Sequence, residues 1–178
     1  LAKKTKATVL AHLINRDQGA ALRTGTNYVI NQALTESDII IHFDADNQMQ
    51  PADIPVVIKP LQTKTADAVF GSRFLNKTTT MPWFKKHIIM NLARLVNRLM
   101  NIKLTDPQSG FRALTVKVAK NITWQDGKSH ASEILNAVHQ ANYRISEVPI
   151  TVIYHHFGQR FGSGVKIIKD LIIGKLIK

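Results

Sequence analysis

The sequence predicts an α/β domain in which a mostly parallel β-sheet is flanked by helices. The first 71 residues alternate strand, helix, strand, helix and strand in their apolar patterns, which is typical of a parallel sheet with helical connections. Residues 38–43, DIIIHF, are apolar almost throughout and therefore predict a strand that is buried on both faces. A chain of 178 residues with 44% apolar residues is long enough for one domain with a substantial core.

Local patterns account for the five elements of the first half. Residues 8–14 (TVLAHLI), 38–43 and 66–71 (ADAVFG) are short apolar runs and predict strands. Residues 20–34 predict a helix because their apolar side chains recur near a 3.6-residue spacing. Residues 51–62 predict a second helix, which begins with Pro51.

The character of the chain changes after residue 71. Residues 68–105 contain seven Lys or Arg and no acidic residue, and residues 83–101 within them predict an amphipathic basic helix. Residues 106–114 predict a loop followed by a short helix or turn, and residues 129–141 predict a helix. Residues 144–153 predict a strand, in which Pro149 favours an edge position or an irregularity. A flexible loop at 158–164 and a second basic amphipathic helix at 165–178 complete the pattern, so we expect one domain at 1–164 followed by this helix.

Composition narrows the class of partner. The 24 Lys and Arg exceed the 12 Asp and Glu, and the formal charge of +12 favours an anionic partner such as nucleic acid, a nucleotide or a lipid headgroup. The chain has no cysteine, which excludes disulfides and thiolate metal sites. No apolar run reaches the ~18–20 residues of a membrane-spanning helix. Leu1 is not a natural start, and we expect the chain to be a piece of a longer protein.

Asp44 and Asp46 follow the strand at 38–43 directly. Two carboxylates this close repel each other unless a cation compensates them, and ligands of open α/β sheets bind at the carboxyl ends of the strands. Carboxylate oxygens suit Mg²⁺ or Mn²⁺, which substrate phosphates often help to coordinate. The alternative is a turn in which an aspartate caps the following helix. The pattern therefore leaves a metal site and a helix cap both open.

Several linked segments together resemble glycosyltransferase family 2. They are HFDADNQMQPADI (42–54), VFGSRF (69–74), DPQSGFRAL (106–114), YRISEVPITV (143–152) and FGQRFGSG (157–164). The resemblance is closest to the polyprenyl-phosphate branch, which includes the dolichol-phosphate mannosyltransferases. It implies a GT-A-like, Rossmann-like fold and an inverting transferase that uses a nucleotide-sugar donor and Mg²⁺ or Mn²⁺. On this reading, residues 1–164 are the catalytic domain.

The resemblance also implies roles for individual residues. It makes Asp44, Asp46 and Gln48 the metal ligands, with Asp44 and Asp46 also facing the donor diphosphate. Arg73 matches a position that handles phosphate, and Glu133 matches an acidic position near the acceptor. With Asp46, these two form the predicted catalytic set. Further predicted contacts to donor or acceptor phosphate are Ser109, Gly110, Arg112 and Arg160.

The chain departs from the family pattern in two places. The usual NRG is NRD here, so Asp17 replaces a glycine, and aspartate tolerates a positive φ better than most residues. The first family strands, with P-x-Y-N-E-like and D-D-G-S motifs, are missing. We expect them to lie upstream of Leu1, and we expect weak activity or none from the 178 residues alone.

Two classes of function remain open at this stage. The favoured one is a transferase that lies peripherally on the cytoplasmic face of a membrane, where its basic helices meet anionic lipid and the acceptor is a polyprenyl phosphate. The alternative is a basic module that binds nucleic acid or membrane without catalysis. The first reading expects no nucleic-acid partner, because the basic residues lie largely on amphipathic helices and the common recognition motifs are missing.

Overall fold

A computed structural model describes residues 4–32, 35–75, 101–127 and 129–153, together with residues 87, 90, 91, 93–95, 97 and 98. A short 3₁₀ turn at Pro51–Asp53 leads into the second helix. In chain order the elements are α1 (Asp17–Ile30), β1 (Ile39–His42), α2 (Ile54–Gln62), β2 (Ala68–Ser72), β3 (Arg112–Thr115), α3 (Val116–Asn121), α4 (His130–Gln140) and β4 (Ile145–Pro149).

The four strands form one sheet in the order β1-β3-β2-β4. Strand β3 pairs antiparallel with both β1 and β2, whereas β2 and β4 pair in parallel. Strands β1, β2 and β4 therefore share one direction, as predicted, and β3 makes the sheet a mixed one. Pro149 ends β4, which lies at the edge of the described sheet, and this confirms the position predicted for the proline.

The short helix or turn predicted after residue 114 is present as helix α3, but the loop predicted at 106–114 was wrong at its end, because β3 begins at Arg112. All but the last of its four residues are buried, so the strand lacks the alternation of apolar and polar residues that would have identified it. The turn signals of Pro107 and Gly110 just before it favoured an irregular structure instead.

Helices cover both faces of the sheet. Helix α2 packs on one face, where Val57 and Leu61 contact Val69 and Ala113. The opposite face packs against α3 and α4 in a cluster that includes Phe70, Leu114, Trp124, Ile134 and Leu135. Two covered faces explain why the residues of the central strands β2 and β3 are buried on both sides rather than alternately buried and exposed.

Residues 8–14 do not form the predicted strand. The segment has no ladder partner among the described residues, and Leu13 and Ile14 are 104% and 72% exposed. An apolar run needs a neighbouring strand to satisfy its backbone groups, and the sequence pattern does not report whether that neighbour is present.

The basic helices lie largely outside the described residues. Those residues between 87 and 98 that the structure describes are helical, in agreement with the helix predicted at 83–101. The loop at 158–164, with Arg160, and the helix at 165–178 fall outside the described part. Among the residues that were described, no helix is both long enough and apolar enough to span a bilayer.

Candidate functional site

The strand register brings the predicted site residues to one edge of the sheet. His42 of β1, Arg112 of β3 and Phe70 of β2 lie side by side in one row across the three strands. Two residues beyond this row, at the carboxyl ends of β1 and β2, lie Asp44 and Ser72. Because β3 runs in the opposite direction, the residue of its chain that lies beside them is Gly110, two residues before Arg112. Asp44, Gly110 and Arg73, which follows Ser72, therefore gather at the edge where ligands of α/β sheets bind.

Asp44 is held by contacts from two directions. The side-chain amide of Gln18, in the first turn of α1, donates a hydrogen bond of 2.7 Å to its Oδ1 atom. Gly110 lies on the other side, and a Cβ atom at that position would be only 2.7 Å from Oδ2 of Asp44. The backbone N–H of Asp44 faces the sulfur of Met49 at 3.5 Å. Gly110 is thus required because the backbone approaches the carboxylate closely, and the phosphate contact expected of it stays a prediction.

The chain after Asp44 forms a tight, anchored turn. The exposed Asp46 accepts a 3.0 Å hydrogen bond from the backbone N–H of Gln48, and Asn47 between them has a φ of 62°. Gln48 in turn accepts a 2.9 Å hydrogen bond from Ile153 at its carbonyl. An aspartate turn is therefore present, but it does not cap the following helix, because neither the 3₁₀ turn nor α2 has a side-chain cap. The turn fixes the backbone that carries Asp46 and Gln48 without removing Asp46 from solvent.

The electrostatics of the pair favour a cation. Burial raises the pKa of Asp44, and the nearby Asp46 carboxylate raises it further, while Arg112 and the Gln18 hydrogen bond act in the opposite direction. Two carboxylates that disfavour each other's charge, with the amide oxygen of Gln48 on the same turn, form a donor set of hard oxygens that suits Mg²⁺ or Mn²⁺. Among the residues that the structure describes, no three His, Cys, Asp or Glu side chains form a cluster that could hold a metal ion.

Arg112 lies in the protein interior rather than at the surface of the site. Its side chain is fully buried, and its Nε donates a 3.3 Å hydrogen bond to the carbonyl of Gly110. Both Nη atoms lack a hydrogen-bond partner in the described structure. Burial lowers the pKa of Arg112 to about 10, although the Asp44 carboxylate opposes this effect. In this position Arg112 acts on Asp44 through its charge, and the phosphate contact expected of it stays a prediction.

Two buried histidines, His42 and His130, adjoin Arg112, and neither was among the predicted site residues. His42 shares a 2.9 Å hydrogen bond with Thr26 of α1, and its ring meets that of Trp124 edge-on. Burial, assisted by Arg112, lowers the pKa of His42 to about 3, and the same two causes lower the pKa of His130. The signal in the sequence was a lone histidine inside the apolar run 38–43.

Arg73 is fixed by a buried carboxylate that the sequence did not identify. The Nε and Nη2 atoms of Arg73 donate to the two oxygens of Asp106 at 2.6 and 2.7 Å, and Asp106 is fully buried. Glu147 of β4 accepts hydrogen bonds from the backbone N–H groups of Thr105 and Asp106 at 2.8–2.9 Å. Asp106 and Glu147 belong to the segments DPQSGFRAL and YRISEVPITV, so the signal that could have found them was their place in these motifs.

Glu133 and Ser109 have structural partners. Glu133 accepts a 2.7 Å hydrogen bond from the backbone N–H of Gln125 and a second from the hydroxyl of Ser129. Ser109 is buried, and its hydroxyl donates to the carbonyl of Phe111 at 3.5 Å. Ser109 is therefore closed to a ligand in this structure, and the carboxylate of Glu133 holds the loop before α4.

That loop clamps the first turn of α1. Gly19 donates its N–H to the carbonyl of Gly127 at 3.1 Å and accepts a 3.0 Å hydrogen bond from the indole of Trp124. A Cβ atom at Gly19 would lie 2.8 Å from the carbonyl oxygen of Gly127. Arg16 and Arg23 both pair with Asp126, which ties the two ends of this turn to the loop. The clamp fixes the helix end that carries Gln18.

Comparison with known proteins gives a consistent family. The model of glycosyl transferase family 2 matches residues 2–123. An uncharacterized protein of Methanocaldococcus jannaschii is 33% identical over 185 residues, which cover 99% of this chain and 75% of that protein. The UDP-N-acetylglucosamine–dolichyl-phosphate N-acetylglucosaminyltransferase of Methanococcus voltae is 32% identical over 91% of this chain and 65% of its own length.

Solved structures agree on the fold. Glucosyl-3-phosphoglycerate synthase of Mycobacterium tuberculosis in complex with UDP has a TM-score of 0.65 and 16% identity over 90% of this chain. The same enzyme in complex with Mn²⁺, UDP and glucosyl-3-phosphoglycerate has a TM-score of 0.64 and 14% identity. This chain spans 55% of both of these chains. The fold is GT-A-like, as predicted.

Proposed function

The chain belongs to glycosyl transferase family 2, and from this premise we propose that it transfers a sugar from a nucleotide-sugar donor to a lipid phosphate at a membrane surface. The observation that carries the proposal is the carboxyl edge of the sheet, where Asp44 and Asp46 lie on one turn and Arg73 follows the end of β2. Paired carboxylates and an arginine are the groups that a metal-bound diphosphate and a second phosphate require.

Asp44, Asp46 and Gln48 would hold Mg²⁺ or Mn²⁺. When bound, the ion neutralises the negative charge that develops on the nucleoside diphosphate as the sugar leaves. Gln18 and Gly110 restrict the Asp44 carboxylate from two sides, so the position of one ligand is set before any substrate arrives. The solved relative in complex with Mn²⁺ and UDP supports this assignment.

A lipid phosphate is the acceptor that fits best. The Methanococcus voltae relative is named for transfer to dolichyl phosphate. A phosphate oxygen is already anionic near neutral pH, so its attack with inversion at the sugar carbon needs alignment and charge neutralisation more than a strong base. Arg73, with 18% of its side chain exposed, supplies a fixed positive charge for that phosphate. Glu133 is engaged by Gln125 and Ser129, which suits an enzyme without a carboxylate base.

A membrane surface is the natural place for this reaction. The charge of +12 and the helical, basic residues between 87 and 98 support association with anionic lipid, and we place the protein peripherally on the cytoplasmic face. Family membership makes a nucleic-acid-binding module the weaker alternative, because binding to anionic lipid and to a nucleotide-sugar accounts for the positive charge.

The test is transfer of radiolabelled N-acetylglucosamine from its UDP donor to farnesyl phosphate by the purified protein, produced together with any residues that precede Leu1 in its natural chain. We expect transfer that requires Mn²⁺ or Mg²⁺ and falls at least 100-fold in Asp46→Asn. The matched control is Asp67→Asn, which removes an exposed carboxylate paired with Arg144 at the opposite end of β2. Metal-independent transfer, or equal losses in the two variants, would contradict the proposed site.

Glu133→Gln separates a phosphate acceptor from a hydroxyl acceptor. The glutamine oxygen can accept from Gln125, and the Ser129 hydroxyl can turn to accept from the new amide, so this substitution is structurally mild. With farnesyl phosphate we expect a loss of less than threefold. A loss of 100-fold at unchanged stability would identify Glu133 as a base and contradict the proposed transfer to phosphate without a carboxylate base.

A further inference from the structure

We propose that Glu147 is a positioning residue for Arg73, acting through the backbone of residues 105 and 106 and the carboxylate of Asp106. This inference depends on the proposed function in one respect, which is that the ligand of Arg73 is a phosphate. The juxtaposition itself stands on contacts among described residues of three segments, which are the end of β2, the loop before β3 and strand β4.

Glu147 binds backbone rather than a cation. Oε1 accepts from the N–H groups of Thr105 and Asp106 at 2.9 and 2.8 Å, and Oε2 accepts from Thr105 at 2.9 Å. Among the described ion pairs, none involves Glu147. Hydrogen bonds from N–H groups to a carboxylate are about twice as strong as neutral ones. The carboxylate therefore serves to hold the two amides, and with them the loop that carries Asp106.

The loop in turn fixes the guanidinium of Arg73. Asp106 accepts from Nε and Nη2 of Arg73 in the fork geometry and also from its backbone N–H at 3.2 Å. A hydrogen bond between the hydroxyls of Ser72 and Thr105 joins the same two segments. Asp106 is fully buried, so it cannot shift toward solvent without exposing its partners. The direction of the arginine thus depends on where Glu147 holds residues 105 and 106.

The support of Arg73 by Asp106 and Glu147 matters because an arginine side chain loses conformational entropy when it is immobilised. A free arginine side chain has about 2 kcal/mol of rotamer entropy to lose when it binds. In this protein the side chain of Arg73 has already lost that entropy in the folded state, because Asp106 holds it. A phosphate can therefore bind a guanidinium that is already oriented. Weakening Glu147 should therefore reduce affinity for a phosphate acceptor more than it slows the chemical step.

The chain offers a matched control at the opposite end of the same strands. Arg144 binds Asp67 through its backbone N–H, Nε and Nη2 at 2.9–3.0 Å, which repeats the Arg73–Asp106 arrangement. Asp67 precedes β2 and Arg73 follows it, so the length of a five-residue strand, ~17 Å, separates them. Asp67→Asn removes a comparable fork without touching the site.

The first experiment measures Arg73 directly, without any ligand. The ¹⁵N–¹H signal of its Nε–H is assigned by its loss in Arg73→Lys, and its hydrogen exchange is followed in wild type, Glu147→Gln, Glu147→Ala and Asp67→Asn. We expect exchange to accelerate about tenfold in the two Glu147 variants and less than twofold in Asp67→Asn. The glutamine variant retains the shape of the side chain, so it serves even if the alanine variant does not fold. Unchanged exchange in Glu147→Gln would overturn the proposal.

The second experiment asks what the support does in catalysis. With farnesyl phosphate as acceptor, we expect Glu147→Gln to raise KM five- to tenfold and to change kcat less than twofold, with no added effect in an Arg73→Lys background. An equal rise in KM in that background would overturn the coupling to Arg73. If wild type transfers nothing to farnesyl phosphate while the exchange of Arg73 responds to Glu147, the proposed function fails and the positioning role stands.

Discussion

Replacing Arg112 with methionine should make the protein more stable while impairing its site. Arg112 is fully buried, and neither of its Nη atoms has a hydrogen-bond partner in the described structure. A buried ion without complete partners is often less favourable than an apolar side chain of similar volume. Arg112→Met removes the buried charge and keeps most of the packing.

The size of the effect follows from the pKa of Arg112. Its fall from the ordinary value to about 10 means that the folded protein disfavours the charged form by about 3 kcal/mol, at about 1.4 kcal/mol per pKa unit. Methionine loses the hydrogen bond from Nε to Gly110, which is worth about 1 kcal/mol. We therefore expect the free energy of unfolding to rise by about 2 kcal/mol. Asp44 loses its nearby positive charge, so its pKa should rise further, and Mn²⁺ affinity should fall more steeply at acid pH than in the wild type.

Urea denaturation at pH 7.5, followed by tryptophan fluorescence and by circular dichroism, measures the first quantity. Titration with Mn²⁺ in a calorimeter measures the second. Arg144→Met is the control, because Arg144 is exposed at the far end of the sheet and should affect neither measurement strongly. A loss of stability in Arg112→Met would refute the reasoning, since it would mean that the guanidinium has partners that compensate its burial.

Three further predictions concern neighbouring residues. Gly110→Ala places a Cβ against the Asp44 carboxylate and should weaken Mn²⁺ binding at least tenfold by calorimetry; unchanged affinity would contradict the close approach. His42 has a low pKa in the folded protein, so below pH 6.5 it is protonated in the unfolded chain but stays neutral in the folded protein. The free energy of unfolding therefore falls as the pH drops below 6.5. His42→Gln should remove about 2 kcal/mol of the loss between pH 7.5 and 5 in urea denaturation, and an unchanged pH profile would contradict this. Glu133→Ala leaves the N–H of Gln125 without its carboxylate and should lower the free energy of unfolding by about 1–3 kcal/mol, whereas Glu133→Gln should not.

The sequence predicted best where local pattern and tertiary environment agree. The helices at 20–34, 51–62 and 129–141 and the strands at 38–43, 66–71 and 144–153 all have counterparts within a few residues. It failed at 8–14, where an apolar run lacks a strand partner in the described part of the chain, and at β3, where four mostly buried residues follow two turn signals. The pairing partner of a strand, and the insertion of β3 antiparallel between β1 and β2, depend on segments that are distant in sequence. Local patterns do not contain this information.

In the candidate site, too, the features that depend on neighbouring residues could be predicted from the sequence, and those that depend on distant residues could not. Asp44 and Asp46 could be predicted because a strand end and its carboxylates are adjacent in sequence. The burial of Arg112 could not, because it depends on tertiary packing around β3, where His42 and His130 from distant segments lie near the guanidinium. Nor could the support of Arg73 by Asp106 and Glu147, which are 33 and 74 residues away along the chain and meet it only through the β2–β4 pairing.

The clamp on the first turn of α1 has a consequence for the order in which the protein is made. Gln18 leaves the ribosome early, yet the loop that secures its helix end, with Trp124 and Gly127, is synthesised more than 100 residues later. Contacts between segments this distant form slowly because the intervening chain must first be organised. A nascent chain can therefore hold α1 and β1 without a defined Asp44, and the carboxylate gains its final orientation only after α4 begins to emerge.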